Sequence, residues 1–313
     1  MEYVTLGRTG LRASVVGLGA GGASRLGLGL GRTEPEAVAL VRRALDLGVN
    51  LVDTAYAYQT EAAVGKALAG VRRDAVIVST KREVTDAGAR LSGAQVAAAV
   101  TDSLRRLGTD HVDLFLLHGV RPADYDYAVA EIVPALARCR EAGAVRFVGV
   151  SEAFQTDPRH AMLERALADG WCDAVMVGFN ILNQSARRHV LPRAASLGVG
   201  VLGMYAVRRA LSQPGHLRAV LDELARRGLV DPALVGDGDP AAALLRDSEA
   251  ESLTEAAYRY CRSEPGLHVV LTGTGDVTHL EANVRAALRP PLPPACRARL
   301  AALFERVDDV TGS

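Results

Sequence analysis

The chain has 313 residues, nearly half of them apolar but only 4% aromatic, so its core must be built from Ala, Val and Leu. That length fits one α/β barrel of ~250 residues with insertions, and a single domain is expected over 1–313. Thirty-six basic residues balance 36 acidic ones, which excludes a polyanion-binding field and makes nucleic acid an unexpected partner.

The apolar runs are interrupted well short of the ~20 residues that span a bilayer, and the first residues hold no apolar signal region. The expectation is a cytoplasmic protein without a membrane partner, acting on a small molecule as a monomer or small homo-oligomer. Cys139, Cys172, Cys261 and Cys296 stand far apart without CxxC spacing, which reads as scattered thiols rather than a metal or disulfide framework.

In chain order, residues 3–14 come first. Gly7 and Gly10 punctuate short extended stretches, predicting a hairpin that closes the bottom of a barrel. Eight short, nearly all-apolar runs follow, at 13–18, 49–52, 75–79, 112–117, 145–150, 174–177, 199–202 and 268–271. Such runs suit parallel strands buried on both faces. Helical patterns lie between them, at 36–47, 93–107, 128–142, 159–168, 184–197 and 278–288, with AVGKAL around Lys66 as another helix. Pro35 and Gly48 punctuate the first of these. Eight strand–helix units predict a (β/α)8 TIM barrel rather than a six-stranded doubly wound sheet. Two further pieces fall outside the repeat. Residues 208–250 form a long insertion after strand seven that ends in the Gly/Asp/Pro-rich stretch 235–240, and residues 290–313 form a C-terminal segment that opens with Pro290, Pro291, Pro293 and Pro294.

In a barrel, chemistry sits where the strands end at the C-terminal face. Asp53 ends strand two in LVDTAYAY, Lys81 ends strand three in VIVSTK, and His118 ends strand four in VDLFLLH. Tyr58 lies five residues beyond Asp53. Taken singly, each has a plain alternative: a turn cap for Asp53, a wall residue for Tyr58, a surface charge for Lys81, a core imidazole for His118. Their convergence is what signals chemistry. Only Lys66 and Lys81 among the 36 basic residues are lysines, so Lys81 is a lysine in a chain that otherwise writes its cations as arginine.

A phenol with a reference pKa of about 10 is a weak acid near neutrality, and a neighbouring ammonium is expected to lower that value. A compact ammonium fits beside a phenol where a planar guanidinium does not. Asp53 would hold the ammonium, and His118 would donate a hydrogen bond to a carbonyl oxygen.

With these residues in place, the chain resembles the aldo-keto reductases over essentially its full length. The resemblance is carried by YVTLGRTGLRASVVGLGAGG, GVNLVDTAYAYQTEAAVGKAL, VIVSTK, HVDLFLLH, VRFVGVSE and LTGTGDVTHLEANV. It implies an NADP(H)-linked exchange between an aldehyde or ketone and its alcohol, with the cofactor extended across the barrel top. Tyr58 maps to the family's proton donor, and Asp53, Lys81 and His118 to its partners. Gly19 and Ala20, in the glycine-rich first segment, map to cofactor contacts. Ser151 and Glu152 map to the pair gripping the nicotinamide carboxamide, with Met176 at the position of a third carboxamide contact. Tyr205 maps to the aromatic under the nicotinamide, and Ala206 and Val207 open the pyrophosphate loop. Thr272, Gly273, Thr274 and Gly275, with His279 and Asn283 on the next helix, would take the adenosine end, as anions bind helix N-termini.

The departures from the family's pattern are specific. Glu152 stands where Asn is usual and can accept from a carboxamide but not donate to it. Met176 replaces Gln, and Gly119 and Val120 follow His118 where Trp is common. The 272–279 stretch lacks the Lys or Arg expected for a 2′-phosphate and carries Asp276 instead, so NAD(H) is expected as an alternative to NADP(H). Arg208 and Arg209 stand where they would clamp a pyrophosphate or an acidic substrate, or else are ordinary surface charges. The substrate pocket is expected from residues 119–127, 208–250 and the C-terminal segment. A cofactor-binding regulatory protein of the same fold is the alternative function. A Schiff-base barrel using Lys81 is a more distant one.

Overall fold

A computed structural model describes residues 1–234 and 238–313. The end of the insertion at Val235, Gly236 and Asp237 lies outside the described residues. The chain opens with an antiparallel hairpin, β1 (Tyr3–Thr5) and β2 (Arg12–Ser14). The eight barrel strands are β3 (Val16–Gly19), β4 (Leu51–Asp53), β5 (Ile77–Glu83), β8 (Val112–Val120), β9 (Val145–Glu152), β10 (Ala174–Gly178), β11 (Gly200–Met204) and β12 (Val269–Thr272). All are parallel, and pairing of β12 with β3 closes the barrel. Between β5 and β8 a two-residue-per-strand hairpin forms from β6 (Thr85–Asp86) and β7 (Ala89–Arg90).

The (β/α)8 architecture is therefore that of the sequence reading, and so is the hairpin. The run at 13–18 divides, however. Its first residues belong to the hairpin and only Val16 onward enters the barrel.

The continuous apolar strands are explained by two separate cores. Leu51, Ile77, Leu114, Leu116, Ala174, Met176, Leu202 and Val269 fill the barrel and meet Leu6, Leu11 and Ala13 of the N-terminal segment at its bottom. Their neighbours one residue on, among them Val52, Val78, Phe115, Leu117, Val175, Val177, Val201 and Val270, face the helices. A strand buried on both sides loses the apolar–polar alternation of a half-exposed one. Gly149 is needed at the interior surface, because an added Cβ would lie 2.5 Å from a Leu116 methyl and 2.1 Å from the Ala174 carbonyl oxygen.

The helices are α1 (Glu34–Asp46), α2 (Glu61–Leu68), α3 (Gly93–Leu107), α4 (Tyr125–Tyr127), α5 (Val133–Glu141), α6 (Ala161–Asp169), α7 (Val190–Ser196), α8 (Pro214–Arg226), α9 (Pro240–Leu245), α10 (Leu253–Arg262), α11 (Val277–Leu288) and α12 (Pro294–Leu303). Two expected helices are interrupted, each beside a proline. Residues 128–132 form a π turn before α5 because Pro134 has no N–H to continue a regular ladder. Residues 185–187 form a 3-10 turn, and α7 starts only at Val190, which places Pro192 in a first turn where its missing N–H costs nothing.

The insertion is not a bare loop. It folds into α8 and α9 before barrel helix α10, a helix not expected from the sequence. The signal for α10 was Ser252 followed three residues later by Glu255; the Ser252 hydroxyl accepts from the Glu255 N–H at 3.2 Å. Among the described residues, no helix is long and apolar enough to cross a membrane, and no cluster of His, Cys, Asp and Glu is arranged to hold a metal ion.

Candidate active site

Strand parity assembles the site. Ile77 lies in the barrel interior, so Ser79, Lys81 and Glu83 on the same strand also face inward. The inward residues change from apolar at the bottom to ionisable at the C-terminal end. In β8 they run Leu114, Leu116, His118, and in β9 Phe147, Gly149, Ser151.

Lateral register then pairs the polar ones. Asp53 is opposite Ser79, whose hydroxyl donates to Asp53 Oδ1 at 2.8 Å. Lys81 Nζ donates to Asp53 Oδ2 at 2.5 Å and to the Thr54 carbonyl at 2.8 Å, with both side chains buried. Burial pulls the Lys81 ammonium below its ordinary range, opposed by the charge and hydrogen bond of Asp53.

Tyr58 sits in a 3-10 turn after β4, half-buried, with its hydroxyl 3.2 Å from His118 Nε2. The two rings meet edge-on, 5.2 Å apart at 87°. The Lys81 ammonium lies 5.1 Å from the phenol ring centroid. The expected lowering of the phenol pKa does not follow. Burial raises it well above the usual tyrosine range, and the nearby Asp53, Tyr205 and Glu83 push the same way. The physical reason is that burial disfavours the phenolate, while the Lys81 ammonium is paired with Asp53 at 2.5 Å.

Glu83 completes this group and was not expected from the sequence. It is opposite His118 in the β5–β8 register, and its Oε1 lies 2.7 Å from His118 Nδ1. Burial alone would raise Glu83, but the hydrogen bond and charge of His118, a backbone N–H and Arg82 outweigh it and bring the carboxyl down to about 2. An ionised Glu83 requires a proton on Nδ1. In the neutral ring Nε2 is then an acceptor, and it can donate to a carbonyl oxygen only in the imidazolium form, whose charge Glu83 is placed to balance. Glu83 follows Lys81 by two residues, and that strand spacing was the available signal.

Tyr58, Lys81 and His118 line a cavity of about 300 Å³, with Ser151, Glu152, Met176 and Tyr205 also in its lining. The Ser151 hydroxyl oxygen accepts from the Gly119 N–H at 2.9 Å, which leaves its proton free to donate. Met176 packs in the barrel interior opposite Ser151.

Glu152 differs from the expectation. Its carboxylate is buried, with Oε1 accepting from the Gly178 N–H at 2.7 Å and Oε2 lying 2.8 Å from His160 Nδ1. It is committed to internal partners and does not stand open to a carboxamide.

Tyr205 has a left-handed backbone, φ +67°. Its ring stacks on Phe154 at 5.9 Å, and the Arg208 guanidinium lies 4.2 Å from its centroid. Arg208 also hydrogen-bonds the Ser313 hydroxyl, while Arg209 is exposed. Ala206 is buried and Val207 half-buried between them.

The cavity walls include Gly119 and Arg121, as expected, but otherwise come from Met204 and from Ala153, Phe154, Gln155 and Thr156 after β9 rather than from the described residues of the 208–250 insertion. The insertion is held elsewhere: α8 packs on the 209–211 turn and on α9. A further contact was not expected. Gly21 lies so close to Tyr58 that a Cβ there would be 2.4 Å from the ring.

The residues expected at an adenosine end gather beside β3. Gly273 faces the Gly19 carbonyl, with room for an added Cβ only at 3.2 Å, and the Ala20 N–H donates to the Asp53 carbonyl at 2.8 Å. Thr272 Oγ1 receives the Asn283 amide at 3.0 Å and lies 2.8 Å from the Tyr258 hydroxyl. Thr274 Oγ1 accepts from the Asp276 N–H. Asp276 caps α11 by accepting from the His279 N–H at 3.0 Å. The stretch holds no cation of its own, but the loop after β3 supplies one: Arg32 pairs with Asp276 Oδ2 at 3.0 Å. That loop packs tightly here, since a Cβ on Gly275 would meet the Gly27 backbone at 2.6 Å.

Comparison with known proteins agrees with this geometry. The model of the Aldo/keto reductase family matches residues 17–304. The chain is 30% identical over 296 residues to an L-galactose dehydrogenase of Arabidopsis thaliana, covering 91% of this chain and 88% of that protein. It is 34% identical over 204 residues to the aldo-keto reductase YhdN of Bacillus subtilis, covering 62% and 58%. The holo structure of aldo-keto reductase AKR11C1 from Bacillus halodurans superposes with a TM-score of 0.73 at 28% identity, covering 97% of this chain and 96% of that one. With the barrel, the strand-end polar group and a family match over nearly its whole length, this chain belongs to the aldo/keto reductase family, whose members are oxidoreductases that use nicotinamide cofactors and act on small carbonyl compounds.

Proposed function

We propose that this protein moves a hydride between a nicotinamide cofactor and an aldehyde or ketone, or the corresponding alcohol or sugar, with Tyr58 giving or taking the proton. The observation that supports this most is the meeting of Lys81, Tyr58 and His118 at one cavity of about 300 Å³, with Asp53 holding Lys81 from behind. The chain's residues suit such a cofactor. Ser151 keeps a hydroxyl proton to donate, Gly19 and Gly273 leave a backbone surface without side chains, and the cavity is large enough for a ring-sized group.

A bound nicotinamide supplies the hydride in reduction and takes it in oxidation. Tyr58 begins reduction as a neutral phenol, since burial keeps its proton on. It passes that proton to the carbonyl oxygen as the new C–H bond forms. The resulting phenolate lies near the Lys81 ammonium, which Asp53 fixes in place. The proton is restored by the imidazolium form of His118 from Nε2 at 3.2 Å, and the ring then regains a proton from solvent while Glu83 holds the other ring nitrogen. Oxidation runs the same steps backwards.

Selectivity for the 2′-phosphate is relaxed in this reading, and NAD(H) is accepted alongside NADP(H). The supporting observation is that Arg32 reaches the adenosine end already paired with Asp276. A sugar or another hydroxyl-bearing substrate fits a cavity rimmed by Arg121, Gln155 and Thr156, and one relative carries the name L-galactose dehydrogenase.

The test is a screen of NAD and NADP, in both redox forms, against panels of aldehydes, ketones, alcohols and sugars, following cofactor absorbance. Turnover with at least one carbonyl–alcohol pair is expected. Tight cofactor binding with no turnover across the panels would overturn the enzymatic reading in favour of a regulatory cofactor-binding protein.

A further inference from the structure

A cavity of about 630 Å³ lies outside the barrel, between α7, α10 and α12. None of its lining residues belongs to the cavity at the barrel top. One face of α12 forms a wall, with Pro294, Arg297, Ala298 and Ala301 recurring at helical spacing. Leu191, Pro192 and Ala195 of α7 form another, and the end of α10 with the turn into β12 forms the third. Most of these side chains are small and apolar.

Two cations and one anion stand among the walls. Arg187 and Glu264 cancel each other. Arg187 Nε donates to Glu264 Oε1 at 2.6 Å and Nη2 meets Oε2, while Nη1 donates to Gln184 Oε1 at 2.8 Å. Arg297 has no such partner. Its Nε is closed off from water without a hydrogen bond, and its guanidinium forms no ion pair among the described residues. Arg262 and Arg299 also have a closed Nε, but their terminal nitrogens reach Glu2 and backbone carbonyls. Arg297 sits in the middle of the cavity-lining face of α12, between Pro294 and Ala301. That helix starts without a side-chain cap, so its positive end adds to the same sign.

A second donor is close by. The Tyr260 hydroxyl oxygen accepts from Arg187 Nη2 at 3.2 Å, and its own proton has no acceptor among the described residues. Burial pushes that hydroxyl up to about 12, so the proton stays on. The Ser263 hydroxyl, by contrast, spends its proton on the Arg259 carbonyl at 2.7 Å or the Tyr260 carbonyl at 3.0 Å.

We propose that this cavity is a second binding site, which takes a small monocarboxylate with an apolar body. Arg297 grips the carboxylate, and the Leu, Pro and Ala walls cover the body. A planar guanidinium matches a carboxylate by two parallel hydrogen bonds. One uncancelled positive charge balances one negative charge, whereas a phosphate dianion would leave charge unpaired against apolar walls. The volume falls in the range of small-molecule sites. The site stands apart from the proposed catalysis and does not depend on it.

The test uses octanoate and its neutral counterpart octanamide, titrated by calorimetry into wild type, Arg297→Met and Ala298→Trp. Wild type should bind octanoate about tenfold more tightly than octanamide, the scale of one charge-assisted contact. Arg297→Met keeps an apolar side chain in the wall and removes the charge, so the two affinities should become equal within about twofold. Ala298→Trp fills the cavity and should abolish octanoate binding. An unchanged preference in Arg297→Met, or binding retained in Ala298→Trp, places the carboxylate elsewhere and overturns the proposal. Wild type that binds no octanoate also overturns it, including the case in which a second copy of the chain fills the cavity. Should a variant not fold, a crystal structure of wild type with octanoate decides. A carboxylate against Arg297 supports the site, and octanoate lodged only at the barrel top or on the open surface sinks it.

Discussion

The Lys81 ammonium meets the Asp53 carboxylate at 2.5 Å with both side chains closed off from water. A buried pair of this kind tolerates joint replacement better than the loss of one member. Lys81→Met leaves Asp53 with only Ser79 as a side-chain partner. It should cost about 3–5 kcal/mol of stability. Lys81→Met combined with Asp53→Asn should recover much of that loss and none of the activity. Urea unfolding of the single and double variants measures the coupling; strictly additive losses would show that the two residues act independently.

Tyr58→Phe removes the proton donor and keeps the ring beside Gly21. Carbonyl reduction should fall by about 10²–10⁴-fold, with cofactor affinity near that of wild type. Single-turnover kinetics and cofactor titration separate the two effects. Full activity in this variant would overturn the assignment of Tyr58.

Glu83 holds His118 Nδ1 at 2.7 Å. Its carboxyl is brought from 4.5 to about 2, so in the folded protein it stays ionised where the unfolded chain begins to bind a proton. The stability this gives is full above about 4.5 and is lost as pH falls toward 2. Glu83→Gln should therefore be destabilised most at neutral pH, with the gap to wild type narrowing in acid. Its kcat should drop by about tenfold with an altered pH profile, since His118 loses its anchor. Denaturation midpoints across pH 2–7 check the first statement, and a gap that stays constant across that range contradicts it.

Gly21 abuts the Tyr58 ring, and a methyl there would sit 2.4 Å from it. Gly21→Ala should push the phenol out of line with His118 while leaving the barrel folded. A displacement of about 1 Å can cost about 100-fold in rate. Circular dichroism and kcat on the same preparation test this, and unchanged kcat would mean that the ring is free to yield.

Asp276 is shared between the cap of α11 and Arg32. Asp276→Ser keeps a capping hydroxyl and removes the nearer of the two carboxylates paired with the Arg32 guanidinium, the other being Glu36 at 3.9 Å. The affinity for NADP relative to NAD should rise by about tenfold, the scale of one charge-assisted contact. Fluorescence titration of both cofactors gives the ratio. No change would remove Arg32 from the adenosine end, and a wild-type preference for NADPH of ~100-fold in kcat/KM would remove relaxed selectivity itself.

The barrel and its strand ends were legible in the amino-acid sequence because they rest on local rules. Apolar runs doubly buried in a parallel sheet, turn glycines and a lysine among arginines are all properties of neighbouring residues. Those rules placed Asp53, Tyr58, Lys81 and His118 at one end of the fold, and the tertiary structure brings Tyr58, Lys81 and His118 to one cavity with Asp53 bonded to Lys81 behind them. They did not reveal how the charges are partnered. Glu83 finds His118 through strand register 35 residues apart. Glu152 finds His160 across a loop, and Arg32 reaches Asp276 over 244 residues. Partnering reversed two expectations, since Lys81 does not acidify Tyr58 and Glu152 does not open toward a carboxamide. Sequence determined which ionisable groups this protein brings to the barrel top. Tertiary structure decided what each one's charge is spent on, because electrostatic energy depends on distance and burial, and neither is a property of the linear chain.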